Sequence, residues 1–164
     1  MGKQWNLIQT NVKTQVKERF LRLEVIWKDQ DMFELKVSCN NGRYSGTTEV
    51  YETQNSLLPF AKSLKGYPIG GGQLSHFCGE KESYAFFQMN FYQIGLTGIV
   101  GVEILIEENV STEYRLEEKD KLKMELIVEP NSIDKFQQEL ESLALMEEGV
   151  AELVGIEKYT YNIK

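Results

Sequence analysis

The chain has 164 residues, 41% of them hydrophobic, which suits one folded domain with a sizeable core and argues against disorder. No apolar run approaches the roughly 18 residues of a membrane-spanning helix, and the N-terminus lacks the apolar segment of a signal peptide, so we expect a cytoplasmic protein. The net charge of −7 is uneven, with +2 in residues 1–102 and −9 in residues 103–164, and this acidic half makes nucleic-acid binding a poor expectation.

A polar arm precedes the first strands of the chain. Residues 1–19 have weak periodicity, and we interpret them as a loose arm, an extra edge strand or sequence of vector origin. From residue 20 the hydrophobic period is two, which predicts a strand whose alternate residues from Leu21 to Trp27 face one way. A second strand follows over residues 33–39. Asn40–Gly42 then favours a tight hairpin turn, because Asn and Gly accept positive φ, and a third strand follows it.

The first predicted helix carries an apolar stripe with helical spacing, formed by Leu57, Phe60, Ala61 and Leu64. We expect Asn55 or Ser56 to cap its start. The glycines of Gly70–Gly72 predict a flexible loop after it, and a short strand near Leu74–Cys78 closes the first unit.

The second half of the chain repeats this plan. Strands are predicted over Tyr84–Tyr92 and over residues 100–106 and 122–128. Pro130–Ser132 opens a second helix that Gly149 stops, and its apolar stripe consists of Ile133, Phe136, Leu140 and Leu143. The tail, Val150–Ile163, predicts one or two more strands.

The two halves share a recognisable pattern. Residues 49–64 align with residues 125–140, so that Asn55 matches Asn131, and the closing strands Gly72–Glu80 and Gly149–Glu157 also match. We therefore predict a single α+β domain over residues 20–164, built from two similar meander–helix–strand units over residues 20–80 and 82–157. Because each helix and each meander has one apolar face, we expect a mostly antiparallel sheet of about seven to nine strands with two amphipathic helices packed on one face.

Few residues suggest chemistry. His76 is the single histidine, so by itself it does not predict a metal site, and Cys39 and Cys78 lack the spacing of metal ligands and read as reduced, buried thiols. A dyad of His76 with Ser75 or Cys78 has no orienting third group in the sequence. Gly70–Gly72 lacks the lysine of a phosphate-binding loop. We therefore expect no catalytic, cofactor-binding or metal-binding residues.

Acidic residues crowd the long connection that begins near residue 107. Such a cluster attracts a basic protein partner, or it is simply a solvated surface that keeps the protein in solution. The predicted partner-binding residues are Glu107, Glu108, Glu113, Glu117, Glu118 and Asp120.

Several short motifs resemble those of the WapI-like immunity proteins, a family of small bacterial proteins. They are residues 33–38, the Tyr-Ser-Gly that ends Gly42–Gly46, the helix segment Leu57–Leu64, the segment Gly98–Glu103 and the helix that follows Asn131. The likeness spans residues 20–157 in order and spacing. It implies a protein that binds and neutralises a cognate toxin, often a nuclease.

The charge, the lack of a catalytic constellation and this resemblance together favour a non-enzymatic, cytoplasmic protein-binding module that neutralises a basic toxin or nuclease. The alternative is a small-ligand or carbohydrate-binding domain that uses Gly70–Gly72 and nearby aromatic residues. An enzyme with an unrecognised carboxylate site is the third hypothesis. The sequence leaves the oligomeric state open.

Overall fold

A computed structural model of the protein describes residues 18–81, 84–109 and 119–157. The predicted arm therefore lies almost wholly outside the described residues, as does the tail beyond residue 157. The described elements, in chain order, are β1 (Phe20–Lys28), β2 (Phe33–Asn40), β3 (Ser45–Glu52), α1 (Gln54–Ser63), β4 (Leu74–Gly79), β5 (Ala85–Ile94), β6 (Ile99–Asn109), β7 (Lys119–Val128), α2 (Pro130–Met146) and β8 (Val150–Val154).

The strands form two antiparallel sheets of four, in the orders β3-β2-β1-β8 and β4-β5-β6-β7. The predicted α+β class, strand number and helix pair are confirmed, and the strands are divided between two sheets rather than joined in one. Each unit gives its closing strand to the other unit, because β4 pairs with β5 and β8 pairs with β1. This exchange covers one edge of each meander, and an uncovered edge invites aggregation.

One hydrophobic core fills the space between the inner faces of both sheets and the two helices. Both predicted helix stripes are buried in it, as predicted. Phe91 of β5 lies between the helices, with its ring centroid 6.1 Å from that of Phe60 in α1 and 6.5 Å from that of Phe136 in α2. The repeated phenylalanine of the two helices therefore has one shared contact at the centre of the molecule.

The repeated Asn-Ser pair does not cap the helices, which corrects the prediction for Asn55 and Ser56. Thr53 is the N-cap of α1, and its side chain accepts a hydrogen bond from the backbone N–H of Ser56. In α2 the N-cap is Glu129, without a side-chain cap bond, and Pro130 follows at the first helical position, where its missing N–H costs nothing. The Asn-Ser pair therefore occupies the second and third positions of both helices.

The outer end of β1 also differs from the prediction. A register shift between Val25 and Trp27 marks a β-bulge, and the extra residue reverses the alternation beyond it. Trp27 is consequently half-exposed on the outer face rather than buried with Leu21. There its ring meets that of Tyr51 edge-on, with centroids 6.2 Å apart.

Strand β3 connects the two sheets. It is the edge strand of the first sheet, and it lies against β4, β5 and β6 of the second. The hydroxyl of Thr48 donates to the backbone carbonyl of Glu107 at 3.1 Å. A Cβ at Gly46 would lie 2.8 Å from Ile106 and 2.9 Å from Leu122, so this close approach requires glycine. The first half of β3 is thus held against the second sheet.

Replacing Phe136 by Ala is expected to lower the free energy of unfolding by about 3–5 kcal/mol, because it removes a fully buried ring and leaves a cavity. The matched control on the same helix is Leu145→Ala, where the side chain is half-exposed and the loss should stay below about 1 kcal/mol. Urea unfolding measures both. Equal losses in the two variants would contradict the central position of Phe136.

Candidate functional site

Two cavities open beside β3, one near each end. The first, which we name the acidic groove, has a volume of about 370 Å³ and is lined by Ser45, Gly46, Thr47, Ile106, Glu108, Asp120, Lys121 and Leu122. The second, which we name the aromatic cavity, has a volume of about 270 Å³ and is lined by Met32, Tyr51, Glu52, Thr53, Ser56, Phe77, Cys78 and Gly79.

The acidic groove contains two of the predicted partner-binding residues. Glu108 of β6 and Asp120 of β7 are direct cross-strand partners, and both are exposed. Side chains opposite each other on antiparallel strands have Cβ atoms about 5 Å apart, and like charges in that position repel. The groove therefore holds a pair of carboxylates that a cation would stabilise.

The other predicted partner-binding residues lie elsewhere. Glu107 is only 1% exposed, and its carboxylate pairs with the Lys121 ammonium at 3.2 Å, so it does not belong to an exposed acidic surface. Glu107 lies on the opposite face of β6 from Glu108 and from the core residues Ile104 and Ile106, so its burial does not follow from the alternation of the strand. Glu113, Glu117 and Glu118 lie outside the described residues.

Exposed aromatic rings surround the aromatic cavity. Tyr51 and Phe77 line it, and both are more than half exposed. Trp27 supports Tyr51 from the side, while Phe77 stacks on Phe86 with ring centroids 6.2 Å apart. Aromatic side chains in this state are typical of contact surfaces, because they bury a large area with few rotatable bonds.

Three buried side chains of different chemistry meet beside this cavity. Glu52 is the last residue of β3, and His76 and Cys78 are alternate residues on the inner face of β4. One ligand atom from each, an oxygen, a nitrogen and a sulfur, lies within 4.8 Å of the other two. Glu52 Oε2 and His76 Nε2 share a hydrogen bond of 2.6 Å.

The second carboxylate oxygen and the imidazole ring are both held in place. Glu52 Oε1 accepts a hydrogen bond from the backbone N–H of Thr53 at 2.8 Å. Phe60 packs on the ring of His76, with centroids 5.0 Å apart and planes inclined by 32°. The carboxyl group thus has a backbone donor on one oxygen and the imidazole on the other, which satisfies most of its needs as a buried polar group.

Both cysteines are buried free thiols, as predicted. Burial raises the pKa of the Cys78 thiol well above its ordinary value, and the charge of Glu52 and a hydrogen bond to it act in the same direction. Burial likewise raises the pKa of Cys39, in the other sheet, to about 11. Because the thiolate is the nucleophile, Cys78 in this state is not an activated nucleophile beside His76.

Glu52 is the residue that sequence reasoning missed. It is in phase with Thr48 and Val50, whose side chains face the core, so the alternation of β3 already places its carboxylate inward. The sequence also puts His76 and Cys78 on one face of β4. Ser75 points to the opposite side and is exposed, which removes it as a partner of His76.

The glycine loop of Gly70–Gly72 is exposed and borders open space. Gly70, Gly71 and Gly72 have φ of 95°, 70° and 82°, and each is exposed. A Cβ added at Gly70 or Gly72 would meet no atom within 4 Å, so the loop borders open space. The Tyr67 hydroxyl donates a hydrogen bond to the Gly72 carbonyl at 2.9 Å, and this bond ties the end of the loop to Tyr67.

A further cavity, of about 400 Å³, lies between the β2–β3 turn and β7. The charged groups that line it already have partners. Arg19 pairs with Glu157 at 3.5 Å, Lys123 pairs with Glu103 at 3.3 Å, and Glu125 accepts a hydrogen bond from Tyr92. This cavity is therefore a less favourable candidate than the two beside β3.

Comparisons of the chain with protein-family models, with curated proteins and with solved structures give no match. The likeness to the WapI-like immunity proteins therefore stays a prediction. Among the described residues, neither helix has the length and apolar character that crossing a membrane requires.

The Glu52–His76 contact is expected to behave as a coupled buried pair. His76→Leu leaves the carboxyl group without its imidazole partner and should cost about 3 kcal/mol of unfolding free energy. Adding Glu52→Met to that variant removes the orphaned group and should recover at least about 1 kcal/mol. Urea unfolding of both single variants and the double variant measures this. A double variant that loses the full sum of the single losses would show that the two residues are not coupled.

Proposed function

We propose that this protein is a non-enzymatic protein-binding module of the cytoplasm, and that it binds a basic partner protein through the acidic groove. The observation that carries this proposal is the position of Glu108 and Asp120. They are exposed cross-strand neighbours within one groove, and the adjacent Lys121 ammonium is engaged by the buried Glu107 carboxylate.

A cationic side chain fits this groove by charge and by size. An arginine or lysine placed between the two carboxylates would exchange their repulsion for two charge-assisted hydrogen bonds, which are stronger than neutral ones. The net charge of −7 also favours the approach of a basic protein from a distance. The partner would therefore insert a basic side chain at the β3 end marked by Ser45–Thr47.

The exposed rings of Trp27, Tyr51 and Phe77 lie near the other end of β3 from the acidic groove. They would provide the apolar part of a binding surface that extends along this strand. Protein interfaces draw most of their affinity from a few aromatic or arginine side chains, and charged pairs contribute more to specificity and association rate. The resemblance to the WapI-like immunity proteins supports a toxin, such as a nuclease, as the partner. An acidic protein would inhibit a basic nuclease by occupying its nucleic-acid cleft.

The alternative function, a small-ligand-binding domain, draws its support from the aromatic cavity. That cavity has aromatic rings at its mouth and polar groups at its base, which is the usual composition of a ligand pocket. Its volume of about 270 Å³ would take only a small ligand.

Glu108→Gln with Asp120→Asn tests the acidic groove, since the double variant keeps the side-chain shapes and removes both charges. The matched control is Glu24→Gln with Asp134→Asn, which removes one exposed glutamate charge from β1 and one exposed aspartate charge from α2 and leaves β3 unchanged. A fluorescent peptide of alternating arginine and glycine serves as the probe, and fluorescence anisotropy gives its affinity. We expect the groove variant to bind at least about 10-fold more weakly than the wild type, and the control to change less than about 3-fold.

Equal weakening by the two double variants would mean that only the net charge matters, and it would contradict the groove as the binding site.

The toxin part of the proposal is tested separately. A panel of basic nucleases is assayed on RNA and DNA with and without the protein, and inhibition that the groove variant loses and the control variant keeps supports it. No inhibition of any nuclease in the panel would count against the nuclease as partner and leave the peptide result standing.

A further inference from the structure

We propose that Glu52, His76 and Cys78 form a binding site for Zn²⁺, with one coordination position open to the aromatic cavity. The basis is geometric. A carboxylate oxygen, an imidazole nitrogen and a cysteine sulfur, all buried, converge within 4.8 Å of one another. A single histidine does not by itself predict a metal site, and the structure supplies the other two ligands from a cysteine of the same strand and from a glutamate of the neighbouring sheet.

The donor set suits zinc better than the other common cations. Zinc accepts sulfur, nitrogen and oxygen ligands, whereas magnesium and calcium take oxygen alone. Zinc holds tetrahedral ligand atoms about 3.5 Å apart, so the three atoms need to move by about 1 Å or less to reach bonding positions. Glu52 Oε2 and His76 Nε2 lie closer than that, at 2.6 Å, since a proton rather than a metal lies between them.

Neighbouring residues orient two of the three ligands. The backbone N–H of Thr53 binds Glu52 Oε1, which leaves Oε2 directed at His76. The ring of Phe60 packs on the imidazole and fixes its plane. Such supporting contacts orient the ligands and strengthen metal binding.

The fourth position would face the aromatic cavity. Glu52 and Cys78 line this cavity, while His76 lies behind them. Thr53 and Ser56, at the start of α1, also border it. Three protein ligands and one open position are typical of zinc that binds water or an exogenous ligand, whereas purely structural zinc sites are closed by four protein ligands.

The internal repeat argues that the fold does not require this cluster. Val128 is the residue of the second unit that corresponds to Glu52, and in the matched closing strands Leu153 corresponds to His76. Both are fully buried and apolar. Two of the three ligand-type side chains thus have buried apolar counterparts in the second unit, while the counterpart of Cys78 is Gly155.

Zinc binding would release protons. The S–H bond of Cys78 breaks, the Zn–S bond forms and the proton passes to solvent, because the thiol is protonated at neutral pH in the metal-free protein. Metal affinity should therefore rise by about 10-fold per pH unit for each proton released. Glu52 and His76 are the titratable groups that face this thiol.

Cobalt titration of the full chain, in a phosphine reductant that does not bind metal, tests the proposal. We expect one equivalent of Co²⁺ to give thiolate charge-transfer absorption in the near ultraviolet together with the visible bands of a tetrahedral complex, and Zn²⁺ to remove both. Cys78→Ser should abolish the charge-transfer band and weaken Zn²⁺ binding at least about 100-fold. Cys39→Ser is the matched control, since it alters a buried thiol of the other sheet and should leave both properties unchanged.

The absence of a cobalt–thiolate band in the wild-type protein would overturn the proposal and leave Glu52, His76 and Cys78 as a hydrogen-bonded network only. Persistence of the band in Cys78→Ser, or its loss in Cys39→Ser, would also overturn it. Should Cys78→Ser fail to fold without metal, alkylation decides instead. Zn²⁺ should slow modification of Cys78 but not of Cys39 in the wild-type protein under mild denaturant, and equal rates with and without Zn²⁺ contradict the site.

Discussion

The exchange of closing strands between the two units is the constraint on which both candidate sites depend. Strand β4 follows the first meander in the chain but pairs with β5 of the second, and β8 makes the reciprocal pairing with β1. The exchange leaves β3 as the edge strand of the first sheet, where it packs against β4, β5 and β6 of the second sheet. Residues that are separated by a helix and a loop along the chain therefore meet across β3. Among the described residues, the acidic groove and the aromatic cavity are openings along this junction.

The buried cluster of Glu52, His76 and Cys78 is the most demanding consequence of that junction. Burying a carboxyl group, an imidazole and a thiol costs free energy unless each is hydrogen-bonded or bound to a metal. The Thr53 backbone and the short Glu52–His76 contact meet most of that cost in the metal-free protein. The second unit fills corresponding core positions with Val128 and Leu153 at no such cost. The cluster is therefore a departure from the apolar packing of the second unit, and the proposed zinc binding would account for it.

Charge in this protein works in two different ways. Glu107 is buried and paired with Lys121, so its charge is not part of the exposed surface. Its neighbour Glu108 faces Asp120 in an exposed groove, and a cationic partner would relieve the repulsion between these two carboxylates. Glu107 and Glu108 are consecutive residues of β6, and their environments differ because successive side chains of a strand point to opposite faces. Composition alone, which counts both carboxylates equally, cannot distinguish them.

The sequence by itself determined the local elements and their buried faces. Period-two alternation located the meanders, helical spacing located both apolar stripes, and the repeat at a spacing near 76 residues indicated two similar units. It did not determine the bulge that turns Trp27 outward or the partner of His76. Alternation assigns a side chain to one face of its own strand, but it carries no information about which distant strand packs against that face. Only the tertiary structure, by placing the end of β3 over β4, brought Glu52 to His76 and Cys78.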